Sequence, residues 1–241
     1  MKVNTIYCTF QGEVNPFGIG FPVIFLRLQG CHLRCYKKTL GVLCDTPEGL
    51  EKPVDKTEIN SIFAEIEKVS EKYGIKVVTL TGGDPLWNKE EELIELFSGL
   101  VDRGFSVCVE TSGTISWLSY SVISNNIFWI LDYKLKSSGV KNSDVLFKDP
   151  EHLQDLSEKD YIKFVIYDDA DLDEAILVVK ELKDKTLANF AFGSFWGGRL
   201  TTFDIFNRIK EEGLLSSICI NMQTHKMAVS SNYNVEIPKE I

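Results

Sequence analysis

Short apolar runs rich in β-branched and aromatic residues alternate along the chain with longer stretches whose apolar positions recur every three or four residues. The first pattern predicts strands over 23–28, 76–80, 106–110, 128–132, 161–166, 188–192 and 218–221. The second predicts helices over 55–73, 89–103, 172–183 and 202–212. Within 89–103, Leu93, Leu96, Phe97 and Leu100 share one face. Gly74 and Gly104 stand where a helix C-terminus favours a left-handed residue. Near-continuous apolar strands are buried on both faces, and their alternation with helices implies βαβ units with right-handed crossovers. The expected class is therefore α/β: one domain spanning 1–241, with a mostly parallel, curved sheet forming a partial (β/α)6-type barrel. The polar stretch 137–157 reads as a loop with one short helix. The tail 228–241 has no clear period, and no role is assigned to it.

A hydrophobic content of 44% in 241 residues is enough for a packed core. The net charge of −9 argues against a general nucleic-acid or anionic-membrane binder, though it is compatible with a local basic pocket. No charged leader with an apolar run opens the chain, and no stretch nears the roughly 18 apolar residues of a membrane helix. The expectation is a cytoplasmic protein with no membrane partner.

Six cysteines bring in the chemistry. Cys8, Cys108 and Cys219 are scattered, whereas Cys31, Cys35 and Cys44 are clustered. In an intracellular protein of this size such a cluster reads first as a metal or cofactor site, not as a disulfide framework. Other polar residues fall repeatedly at predicted strand ends, where parallel α/β folds gather ligands. Arg27 and the cysteines follow the first strand, and Gly82, Gly83 and Asp84 the second. Glu110 to Gly113 follow the third, Asp132 and Lys134 the fourth, and Gln223 and His225 the last.

The run Gly30-Cys31-His32-Leu33-Arg34-Cys35, followed by Cys44-Asp45-Thr46, resembles the cysteine motif of the radical S-adenosylmethionine superfamily, C-x3-C-x2-C. The first gap matches; the second, from Tyr36 to Leu43, is eight residues long. Thr81-Gly82-Gly83-Asp84-Pro85 is similar to that superfamily's GGEP motif, with Asp in place of Glu, and Glu110-Thr111-Ser112-Gly113-Thr114 to its ETSGT stretch. Within the superfamily, Gln11-Gly12-Glu13, the approach to the first cysteine over 25–31, and Gln223-Thr224-His225-Lys226 resemble the 7-carboxy-7-deazaguanine synthases. In the first of these, Val14 replaces a glycine. The resemblance spans residues 5–227.

The resemblance implies a [4Fe–4S] cluster on Cys31, Cys35 and Cys44, with one iron left open for S-adenosylmethionine. Cleavage of that cofactor yields a 5′-deoxyadenosyl radical. It implies cofactor contacts at Gly83, Asp84, Glu110, Ser112, Asp132, Tyr133 and Lys134. The implied substrate is 6-carboxy-5,6,7,8-tetrahydropterin. Glu13 would accept its pyrimidine edge, with Phe10, Gln11 and Gly12 beside it. Arg27 would take its carboxylate, and Thr81 and His225 would add contacts. Thr46 would ligate Mg2+. A flavodoxin or ferredoxin-type reductant and a homodimer also come with the resemblance. The product would be 7-carboxy-7-deazaguanine, formed with loss of ammonia.

Plainer readings stand beside these. The glycine run is an ordinary turn, Ser112 a helix cap, and Asp132–Lys134 a strand-end ion pair. Arg27 pairs with Glu13, and His225 is a core histidine. At the level of function, the alternatives are a glycyl-radical enzyme activase and a non-enzymatic zinc or iron–sulfur protein.

Overall fold

The apolar runs form an eight-stranded sheet in strict chain order. Its strands are β1 (Val3–Phe10), β2 (Pro22–Leu28), β3 (Val77–Gly82), β4 (Ser106–Thr111), β5 (Ile127–Tyr133), β6 (Tyr161–Ile166), β7 (Asn189–Ser194) and β8 (Ile218–Ile220). The helices are α1 (Glu48–Glu51), α2 (Ile59–Tyr73), α3 (Glu90–Asp102), α4 (Leu118–Ser121), α5 (Pro150–Asp155), α6 (Asp169–Leu182), α7 (Thr202–Glu211) and α8 (Thr224–Ala228). The computed structural model describes residues 1–42, 44, 47–51, 54–141 and 146–228.

Strands β2 to β8 are mutually parallel, and β1 runs antiparallel to β2. The sheet does not close, as expected for a partial barrel. All seven expected strands are present. The strand the hydropathy pattern did not predict is β1. Its residues are almost all half-buried, so they show neither a continuous apolar run nor a clean alternation. The helix expected from residue 55 begins at Ile59, after an extended Glu58. Gly74 and Gly104 take left-handed φ values of 70° and 78°. Among its described residues, the stretch 137–157 carries two short 3-10 turns, Lys136–Ser138 and Leu146–Lys148, besides α5.

Period-two alternation divides each strand between two environments. On one face Leu26, Val109, Leu131 and Phe164 share the main core with Ile62 and Ile66 of α2 and Leu93 and Phe97 of α3. Each such side chain contributes roughly 1.5–3 kcal/mol on burial. The opposite face carries a small apolar cluster of Val23, Val77, Cys108, Phe128 and Ile130. Beyond that cluster, toward the C-terminal strand ends, the same face turns polar. Arg27 lies in register with Thr81, and Asp132 with Lys163. Among the described residues, no helix is long and apolar enough to cross a membrane.

Candidate active site

A cavity of about 890 Å³ lies over these strand ends. Cys31, Cys35 and Cys44 line it together with Gly83, Ser112, Asp132 and Lys134. Phe10, Gln11, Gly12, Glu13, Arg27, Thr81, Glu110 and His225 also line it. Asp84 and Tyr133 do not; Thr46 and residues 229–241 lie outside the described residues.

The cysteine wall is held by a close approach of two loops. The Gly83 amide donates to the Leu28 carbonyl at 3.4 Å and the Asp84 amide to the Gly30 carbonyl at 2.9 Å. A Cβ on Gly83 would overlap the Gly30 carbonyl and lie 2.8 Å from the Cys31 Cβ, so the approach requires glycine there. The Leu33 amide donates to Cys31 Sγ at 3.3 Å. Burial pushes the Cys31 thiol up to about 11, against that amide, and also raises Cys35. Tyr36 turns the chain after Cys35 with a φ of 65°, rare for a bulky residue. Its amide is anchored on the Ser138 carbonyl at 2.8 Å and its ring lies 4.8 Å from Phe195. Among the described residues, no three His, Cys, Asp or Glu gather around a point suited to one metal ion. A multi-iron cluster spans its thiolates more widely. Three cysteines lining one cavity, beside backbone kept bare by glycine, fit such a cluster.

Asp84 is fully buried behind this wall. It accepts from the Leu86 amide at 3.1 Å, the Thr111 hydroxyl at 2.7 Å and the Ser112 hydroxyl. Ser112 shares a hydrogen bond with Thr114 at 2.7 Å, and Thr114 reaches His32 Nε2 at 2.9 Å. The Asp84 carboxylate thus joins the turn after β3 to the end of β4, bonding two residues that line the cavity without lining it itself. Tyr133 faces the helix side, stacked 5.1 Å from Phe164 and 5.4 Å from Phe147. It sits one residue after Asp132 on a strand, so its side chain takes the opposite face.

The far wall is an ionic network. Glu13 Oε2 lies 2.5 Å from Lys163 Nζ, and Lys163 Nζ lies 3.1 Å from Asp132 Oδ1. The other oxygen of Asp132 pairs with Lys134 at 2.7 Å, which is the strand-end ion pair read from the sequence. Glu13 also accepts from Asn221 at 3.2 Å and Gln223 at 2.8 Å. Burial opposes its charge, but Lys163 and these amides outweigh it and lower its pKa to about 2. Burial likewise opposes the Lys163 charge; Asp132, Glu13 and Glu110 hold it well above the ordinary lysine range. Gln11 is buried, donating to Glu110 at 3.0 Å and accepting from Thr79 at 3.1 Å. Thr81 donates to Glu110 as well, yet burial raises the Glu110 carboxyl. Glu110 therefore sits among the Gln11 and Glu13 contacts.

The pairing of Arg27 with Glu13 does not form. Lys163 takes that place, and Arg27 Nη1 is buried with no hydrogen-bond partner among the described residues. His225 packs directly on Gly12, where a Cβ would overlap its ring. Sequence reasoning missed Lys163 and Asn221. A single lysine inside the apolar run Tyr-Ile-Lys-Phe-Val-Ile was the available signal for the first. Nothing marked the second.

The description "4Fe-4S single cluster domain" belongs to the family model that matches residues 17–143. A 7-carboxy-7-deazaguanine synthase of Clostridium acetobutylicum is 30% identical over 210 residues, covering 87% of this chain and 88% of its own. One from Thermoplasma acidophilum is 31% identical over 231 residues, covering 94% and 96%. A crystal structure of QueE from Escherichia coli shares the fold, with a TM-score of 0.62 at 22% identity over 91% of this chain and 92% of that one. Both relatives cover at least 87% of this chain at 30% identity or more, and the chain belongs to the 7-carboxy-7-deazaguanine synthase family.

Proposed function

We propose that this chain is a radical S-adenosylmethionine lyase that converts 6-carboxy-5,6,7,8-tetrahydropterin to 7-carboxy-7-deazaguanine with loss of ammonia, a step toward queuosine and other deazapurines. The observation that carries this reading is the division of one cavity. Cys31, Cys35 and Cys44 line it, and Glu13, held ionised by Lys163, and the Arg27 side chain line the same space.

When bound, the [4Fe–4S] cluster and S-adenosylmethionine supply a 5′-deoxyadenosyl radical that takes a hydrogen atom from the pterin. Cys31, Cys35 and Cys44 would hold the cluster. Gly83, Ser112, Asp132 and Lys134 share the cavity with those thiols and would receive the cofactor. Glu13 is ionised at neutral pH, so it accepts the N–H donors of a 2-amino-4-oxo pyrimidine edge. Arg27 lines the cavity, and its planar fork suits the substrate carboxylate. Thr81, in register beside Arg27, adds a hydroxyl. Gln11 orients Glu110 and lines the cavity beside Glu13. Thr46 would offer one oxygen to Mg2+, and a flavodoxin or ferredoxin-type protein would deliver the electron. The protein's share is orientation and exclusion of water from the radicals.

Anaerobic reconstitution tests the reading: with S-adenosylmethionine, Mg2+ and the carboxypterin, the expected result is 5′-deoxyadenosine together with 7-carboxy-7-deazaguanine, identified by mass and ultraviolet spectrum. Cofactor cleavage without deazaguanine would sink the substrate assignment, and no cleavage would sink the enzyme class. Arg27→Met should raise KM for the pterin roughly 30-fold, the loss of one buried charged hydrogen bond of about 2 kcal/mol.

A further inference from the structure

Strand β6 is apolar except for Lys163, whose side chain is only 8% exposed. A buried lysine costs stability unless its charge is matched. Here it is matched twice. Its register neighbour on β5 is Asp132, and its ammonium also reaches Glu13, 150 residues away in sequence. Glu13 is offered three hydrogen bonds: Gln223 on Oε1, and Asn221 and Lys163 on Oε2. An ionised carboxylate accepts about four. The three donors fix both its plane and its direction into the cavity, and Lys163 is the one among them that carries charge.

We propose that Lys163 is the positioning residue of the substrate site, holding Glu13 ionised and aimed so that it accepts a donor edge such as the 2-amino-4-oxo face of a pterin. This rests on the reading that Glu13 binds the pterin. Three ionisable groups surround Glu13: Lys163 on β6, Asp132 on β5 and Glu110 on β4. Arg27 on β2, Lys134 after β5 and His225 on α8 line the same cavity. Within ion-pair distance of Glu13, Lys163 is the cation among the described residues. Without it, Glu13 would stand buried between two other acids. Burial and like charge then favour its protonated form, which presents an O–H where the substrate also presents N–H groups.

The experiment compares the wild type, Lys163→Met, Lys163→Arg and the double variant E13Q/K163M as reconstituted enzymes. Equilibrium binding of the pterin is measured by calorimetry across pH, alongside kcat and KM. In the wild type, Kd should be flat on the acid side of neutrality, because Glu13 stays ionised. In K163M, Kd and KM should rise by up to roughly tenfold per pH unit as pH falls through a window between about 6 and 9, with kcat changed less. K163R should restore the flat profile. The double variant should bind weakly at every pH.

A folded K163M with wild-type, pH-flat binding would overturn the proposal. So would a loss confined to kcat, or a folded K163R that behaves like K163M. If K163M does not fold, the wild-type profile decides. A rise in Kd between about pH 5 and 7 that vanishes in Glu13→Gln would show that Glu13 is not held ionised. A wild type that neither binds nor converts the pterin would instead sink the functional reading, and that outcome is distinct from pH-flat binding in K163M.

Discussion

Asp84 shows how a residue can shape a cavity without lining it. Its carboxylate is consumed by one amide and two hydroxyls, so its work is to set the positions of Thr111 and Ser112. Asp84→Ala leaves those three donors unmatched in a buried place. The expected cost is on the order of 3 kcal/mol, read from denaturant unfolding, with weakened S-adenosylmethionine binding. Unchanged stability would mean that the three donors find other partners. At this scale the motifs were largely readable: the cysteines, the glycines and Glu13 carry their chemistry in their identity and spacing. Lys163 was not, because a lone lysine in a strand has no meaning until the strands beside it are known.

Among the elements, the pairing of α2 with α3 depends on a missing side chain. Gly99 lies mid-helix in α3, where glycine costs about 1 kcal/mol relative to alanine. A Cβ there would overlap the ring of Phe63 on α2, a ring that also carries Arg103 at 4.0 Å. Gly99→Ala should therefore destabilise by about 1–3 kcal/mol despite its better helix propensity, because overpacking outweighs the propensity gain. A rise in melting temperature would refute the close contact. The helix periods were legible, since Leu93, Leu96, Phe97 and Leu100 are all fully buried as their spacing predicts. Strand β1 was not, because a half-buried strand beside β2 has no uniform neighbour to pattern against. Alternation along β5 likewise sends Asp132 to the cavity and Tyr133 to the core, a distinction hidden in a motif read as a block.

In the molecule as a whole, the two ends of the described chain meet at the site. The Thr224 amide donates to the Gly12 carbonyl at 3.0 Å, and Gln223 and Asn221 grip Glu13. The contact between Gly12 and His225 seats α8 against the cavity. Gly12→Ala should displace α8 and raise KM for the pterin by about tenfold or more, as expected when substrate-positioning geometry shifts. Global stability should change little, since Thr224, His225 and Lys226 are each only half-buried. Limited proteolysis near residues 224–228 should accelerate; an unaltered KM with an intact α8 would contradict the seating.

Taken alone, the order of apolar runs determined the α/β class, the parallel sheet and the strand ends where ligands gather, because these follow from local periodicity and from the handedness of the crossovers. Short motifs likewise determined which wall bears sulfur. Only the tertiary structure decided how charge is distributed. It gave Glu13 to Lys163 and left Arg27 a donor to spare, while the Asp84 carboxylate was turned inward. Each of those outcomes depends on which side chains share a low-dielectric space, and residues 150 positions apart enter that space only when the strands have assembled.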